Sequence, residues 1–200
     1  MPKVIPEYRE EAKKKIIAAG FEMMSQKGYC ATTLDDIAGH IGVSKTTLYL
    51  YFTNKEDLVI EIVRSVHAEI ERQAIEFFKT EPILDAYVHV LDLILGRDLK
   101  RVGFTHDILA LSARNPAIRK IHEDHMNKVI ERATAGLIIL QKRGEVRRDA
   151  DPRTMTLALV ALMSGLSSLT LKGIEADEIR RRFYETGAII LGMPDFNREV

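Results

Sequence analysis

The sequence predicts an all-α protein in two parts, and three observations carry that reading. Nearly every segment has the period of an amphipathic helix, and no stretch alternates as a strand does. Caps and breakers at Thr33, Gly42, Ser44, Asn54, Asn115-Pro116 and Asp151-Pro152 punctuate the chain at helix-length intervals. Three short helices precede six longer ones, which puts a boundary near Thr53. The expected domains are 1–53, a three-helix unit, and 54–200, a helical bundle entered through the fourth helix.

The elements follow in order. The first helix covers about Glu7 to Gln26, with Ile16, Ile17, Gly20, Phe21 and Met24 on one stripe and Gly28 after it. Thr33 caps the second, with Asp36 at the capping-box position, and Gly42 breaks it. Ser44 caps the third, which ends near Phe52. Asn54 caps the fourth, where Glu56 and Asp57 suit the positive end of the dipole; it runs to about Lys79, with Leu58, Ile62, Val66, Ile70 and Phe77 near one face. Pro82 opens a helix that Gly96 closes, and Gly96 to Gly103 reads as a connector. A short helix covers about Phe104 to Ala113. Asn115-Pro116 opens one that reaches about Arg143, and Asp151-Pro152 opens another through about Leu171. The last spans about Asp177 to Leu191, with Gly192 and Pro194 after it.

Composition sets bounds. At 200 residues with 46% hydrophobic content, the chain can bury a sizeable core. Formal net charge is zero, and residues 1–55 hold eight Lys or Arg against six Asp or Glu. Any nucleic-acid contact must therefore come from placed groups rather than a basic field. One cysteine, Cys30, excludes an internal disulfide and reads as inert core. "MPKVIPEYREEAKKK" has no apolar h-region. The most apolar run, Leu157 to Leu171, is about 15 residues long and contains three serines and a threonine, too short and too polar to span a bilayer. The expectation is a cytoplasmic protein without a membrane partner.

"LDDIAGHIGVSKTTL", Leu34 to Leu48, meets the needs of a helix-turn-helix. Ala38 is small where two helices cross, Gly42 tolerates positive φ, and Ile37, Ile41, Val43 and Leu48 are apolar partners. An ordinary helical hairpin would not explain the polar face of the second helix. In such a motif that helix enters the major groove. Lys45 can donate to guanine, and threonine can hydrogen-bond or touch the thymine methyl. The expected base contacts are Lys45, Thr46, Thr47 and Tyr49. Phosphate contacts are expected from Thr32, Thr33, Ser44, Tyr51 and Lys55. Leu48 and Phe52 read as core.

With those residues in place, "GYCATTLDDIAGHIGVSKTTLYLYFTNKEDLV" resembles the DNA-binding signature of the TetR family of transcriptional regulators. The resemblance is specific over about residues 8–60; the remainder matches in style only. One position departs: the residue after Lys45, often Gly in that family, is Thr46, so operator sequence does not carry over. The resemblance implies a homodimer on a palindromic double-stranded DNA operator, usually a repressor, released by a small-molecule effector bound in the C-terminal domain. No phosphate-cradling Gly loop and no G-x-S-x-G occur in the sequence, so no enzyme and no cofactor are expected.

The C-terminal helices lend partial support. Leu157 to Leu171 is apolar nearly all round, which requires burial on more than one side. Leu162, Gly165, Leu166 and Leu169, with Ile179, Phe183 and Ile190 of the last helix, make an expected dimer interface; the same helices could instead bury within one subunit. Expected pocket residues are Phe77, Tyr87, Phe104, Ile108, Met126 and Met163, although such residues at helical spacing also read as core. His122 and His125 read as a solvated polar face rather than a metal site, and their spacing of three fails the peptidase pattern. A metal-binding or protein-docking module, with DNA binding secondary, is the alternative.

Overall fold

The capping residues act where the sequence places them. In a computed structural model, which describes residues 6–96 and 99–193, the chain forms α1 (Pro6–Lys27), α2 (Leu34–Ile41), α3 (Lys45–Tyr49), α4 (Lys55–Thr80), α5 (Ile83–Leu95), α6 (Leu99–Ser112), α7 (Pro116–Arg143), α8 (Pro152–Thr170) and α9 (Ala176–Leu191). No strand occurs among the described residues. At the head of α2 the Thr33 hydroxyl accepts from the Asp36 N–H at 3.1 Å, and the Asp36 carboxylate accepts from the Thr33 N–H at 2.9 Å. Asn54 caps α4 through the Asp57 N–H at 2.8 Å, and Asn115 caps α7 through the Ile118 N–H at 3.1 Å.

Two boundaries differ from expectation. α3 ends at Tyr49 rather than near Phe52. Gly96 to Gly103 is not a connector throughout: α6 starts at Leu99 rather than near Phe104. Val102 and Phe104 are both buried, so an apolar reason exists to continue the helix through Gly103. Arg97, Asp98 and the expected stop at Pro194 lie outside the described residues.

The described chain divides into two compact units, each with its own core. The first runs through Ala68 and takes in Gly103–Ile121; the second is Glu69–Val102 with the residues from His122 onward. Compactness therefore divides α4, α6 and α7 internally.

In the first unit, Ile16 and Met24 of α1, Ile37 of α2, Leu48 of α3 and Leu58 and Ile62 of α4 form one buried cluster. Fully burying one such side chain contributes about 1.5–3 kcal/mol. Gly20 lets α1 approach α4: a Cβ there would lie 3.0 Å from Leu58 Cδ2 and 3.1 Å from Ile62 Cδ1. The Lys13 ammonium meets the Glu61 carboxylate at 2.8 Å across the same two helices. Phe104 of α6 joins this cluster, edge-on to Phe21 with ring centroids 5.3 Å apart.

In the second unit, Leu91 of α5, Leu137 of α7, Leu159 of α8 and Ile179 and Phe183 of α9 are wholly buried together. Tyr87 lies in this core with Phe78 edge-on at 4.8 Å, and burial pushes its phenol up to about 12. Arg180 of α9 reaches Asp92 of α5 at 2.5 Å.

Two expectations are corrected by this packing. Ile179 and Phe183 cannot line an outer face, because α9 turns them inward. Phe104 and Ile108 lie in the first unit's core, and Tyr87 and Met163 in the second's. Cys30 is exposed rather than core, because the turn after Gly28 carries it outward.

Candidate nucleic-acid interface

The turn between α2 and α3 is built by hydrogen bonds that need a left-handed residue. Gly42 has φ 71° and ψ 29°. Its N–H donates to the Gly39 carbonyl at 3.3 Å, and the Val43 N–H donates back to Ala38 at 3.0 Å. This is the Schellman arrangement, closing α2 and redirecting the chain within two residues. Ser44 then starts α3, its hydroxyl accepting from the Thr47 N–H at 3.0 Å and meeting the Thr47 hydroxyl at 2.8 Å.

α3 is a single short helix anchored by one side chain. Leu48 is wholly buried, and Phe52 just beyond it is buried as well, as expected of both. Lys45, Thr46 and Tyr49 are exposed, Tyr49 at 50% and the following Leu50 at 70%. Thr47 is half-buried against Ser44. The four residues expected at base edges are thus brought to one short element.

Lys45 does not stand alone. Its ammonium lies 2.5 Å from the Asp35 carboxylate, in the first turn of α2. The Asp35 hydrogen bond, with the attendant charge attraction, raises its proton affinity. Asp36, one residue on, is held below the usual carboxylate range by hydrogen bonds from Thr33.

The expected phosphate contacts divide. Thr33 and Ser44 are exposed at helix starts, and Tyr51 is half-buried with the Arg9 guanidinium 6.0 Å from its ring centroid. Thr32 does not fit its expected role. It is wholly buried, and its hydroxyl donates to the Gly28 carbonyl at 3.0 Å. Lys55 is committed inward, donating to the carbonyls of Tyr29 at 2.8 Å and Cys30 at 3.3 Å with its ammonium 4.3 Å from the Tyr29 ring centroid. Tyr29 in turn donates to Glu56 at 3.2 Å; burial, then the Glu56 charge, pushes its phenol up to about 12.

Sequence reasoning missed Arg9, Tyr29 and Asp35. Arg9 and Tyr29 act across distances that no local pattern encodes. Asp35 is hidden because an acid in a helix's first turn already has a sufficient explanation in the dipole.

In the second unit, a cleft of about 240 Å³ is lined by Leu95, Leu99, Val102, Thr170, Ile174 and neighbours, none of them an expected pocket residue. Met126 is 38% exposed. Among the described residues, no group of three or more His, Cys, Asp and Glu is placed to hold a metal ion. No helix among them is long and apolar enough to cross a membrane.

Comparison with known proteins agrees with this geometry. The model of the bacterial regulatory proteins of the tetR family matches residues 16–62, which contain α2, the turn and α3. The uncharacterised HTH-type transcriptional regulator YvaF of Bacillus subtilis is 31% identical over 98 residues, 48% of this chain and 51% of that protein. The HTH-type transcriptional regulator RutR of Escherichia coli is 44% identical over 54 residues, 27% of this chain and 26% of its own. The chain thus spans at most about half the length of these relatives. Two solved structures extend the likeness in fold. A transcriptional regulator from Saccharomonospora viridis, in complex with choline, superposes with TM-score 0.77 at 24% identity, over 88% of this chain and 95% of that one. A TetR transcription regulator from Haloarcula marismortui gives 0.79 at 16%, over 92% and 97%. Residues 16–62 thus carry the helix-turn-helix of the tetR-family regulatory proteins in this register, and the described chain shares the fold of a solved TetR transcription regulator.

Proposed function

We propose that this protein is a cytoplasmic, ligand-responsive transcriptional regulator, a repressor that binds a palindromic DNA operator as a homodimer and leaves it when a small molecule binds. The observation that carries the reading is the exposed row Lys45, Thr46 and Tyr49 on a helix fixed by Leu48 and by the Gly42 turn. One such helix reads few base pairs, so useful specificity calls for two, related by a two-fold axis. Lys45, Thr46, Thr47 and Tyr49 take the base contacts, and Thr33, Ser44 and Tyr51 the phosphates.

The outer stripe of α8, formed by Leu157, Ala161, Ser164 and Gly165, supports the dimer, because small residues at its centre admit a second helix closely. Leu162, Leu166, Leu169 and Ile190 are part-buried beside it and gain further burial on association. Residues 1–53 serve as the DNA-binding part and 54–200 as the effector and dimer part. α4 belongs to both compact units, so an effector that favours one arrangement of α4 biases the recognition helices. It does so only by its differential affinity for the two states; a coupling of about 1–3 kcal/mol gives roughly 5–150-fold in DNA affinity.

The test is a fluorescence-anisotropy titration with DNA from upstream of this protein's own gene, alongside a genome-wide binding selection. Saturable binding by two subunits per site that outcompetes random DNA at about 150 mM salt supports the reading. Tyr49→Ala and Lys45→Ala should lose that preference while remaining folded. No preferred site in either experiment overturns it.

A further inference from the structure

α3 carries one charged side chain, Lys45, and it is engaged by Asp35 from α2 at 2.5 Å. Helix capping does not require this acid, because Thr33 and Asp36 close the α2 cap between themselves. Both members of the pair remain open to solvent, with side chains 68% and 44% exposed. The pair bridges the helix that would cross the DNA backbone and the helix that would enter the groove.

Its chemistry discriminates between kinds of DNA. Arbitrary sequence attracts a protein through its phosphates, and each cation it engages releases counterions. A lysine whose charge is cancelled by an adjacent carboxylate contributes little to that attraction. A G·C pair in register offers more. The ammonium keeps two further N–H donors for guanine O6 and N7, and the carboxylate can accept from cytosine N4.

We propose that Asp35 is a specificity-determining residue: it holds the Lys45 ammonium so that this cation adds nothing to binding of arbitrary DNA and is used only where a base edge accepts it. The proposal rests on α3 being the recognition helix.

The experiment titrates full-length wild type and Asp35→Asn against a short mixed-sequence duplex at salt concentrations from about 50 to 200 mM. Freeing one cation should steepen the slope of log K against log salt by about 0.9 per subunit on the DNA and, extrapolated from 1 M, tighten binding about fivefold per subunit near 150 mM. Asp35→Ser, equally compatible with a helix's first turn, should behave alike. Repeating the change in a Lys45→Gln background closes a double-mutant cycle. There, removing the acid should alter neither affinity nor slope. An unchanged slope with Lys45 present overturns the proposal. So does an equal gain in both backgrounds, because Asp35 would then act by repelling phosphate itself. Wild type that binds no duplex at low salt overturns the recognition-helix reading instead, so the two failures are distinct.

Discussion

The ammonium of Lys55 lies 4.3 Å from the centroid of the Tyr29 ring and donates to that residue's own carbonyl at 2.8 Å. One side chain thus ties the head of α4 to the turn between α1 and α2. Lys55→Met keeps the aliphatic stem and removes the charge. Its expected cost is about 2–4 kcal/mol, the sum of about 1.5–3 for a charge-assisted hydrogen bond and about 0.5–1 for a cation–π contact. Urea unfolding measures it. A loss no larger than at an ordinary exposed lysine would mean the clasp contributes nothing.

Tyr29 and Tyr87 give the protein an alkaline limit. Both phenols are raised to about 12, Tyr29 by burial and the Glu56 charge and Tyr87 by burial. An unfolded tyrosine ionises near 10. Stability tied to these groups is therefore complete below about 10 and is lost as pH rises through about 12. Phenolate absorbance followed together with helical circular dichroism should show two late tyrosines ionising as the helices melt. All six tyrosines ionising near 10 with helicity intact would contradict it.

The α2 cap should respond to both mutation and acid. Thr33→Ala removes the hydroxyl that accepts from the Asp36 N–H and should cost about 1 kcal/mol. Asp36 is held below the usual carboxylate range, so its contribution is present above the ordinary carboxylate value and lost as pH falls through the depressed one. Asp36→Asn should flatten the acid side of the stability profile. Equal acid sensitivity in wild type and variant would show that other carboxylates govern it.

Gly42 separates backbone strain from crowding. A Cβ there meets no atom within 4 Å, yet φ is 71°. Gly42→Ala should destabilise by about 1–2 kcal/mol through conformation alone, and Gly42→Asn by less, since Asn visits this region more readily. Matched unfolding curves would detect the order. Asn costing as much as Ala would indicate that the loss is not one of backbone conformation.

Most helix ends were legible because their causes are local. A cap is an interaction across three residues, and a left-handed turn is a property of one, so Thr33, Gly42, Ser44, Asn54 and Asn115 could be read directly. Burial was legible where spacing left one choice, as at Leu48. It was not legible at Thr32, whose hydroxyl turns to the end of α1, nor at Leu99 to Val102, where burial of Val102 and Phe104 extends a helix through a glycine.

The sequence by itself determined the helix-turn-helix register, the exposed row on α3 and the all-helical class, since all three follow from short-range capping and helical period. Tertiary structure decided which side chains are free. It drew Lys55 onto Tyr29, paired Lys45 with Asp35, turned Ile179 and Phe183 inward and gave Phe104 and Tyr87 to separate cores. Those outcomes depend on partners on other helices or turns, from 10 residues away for Lys45 and Asp35 to 26 for Lys55 and Tyr29, and a one-dimensional pattern holds no record of that proximity.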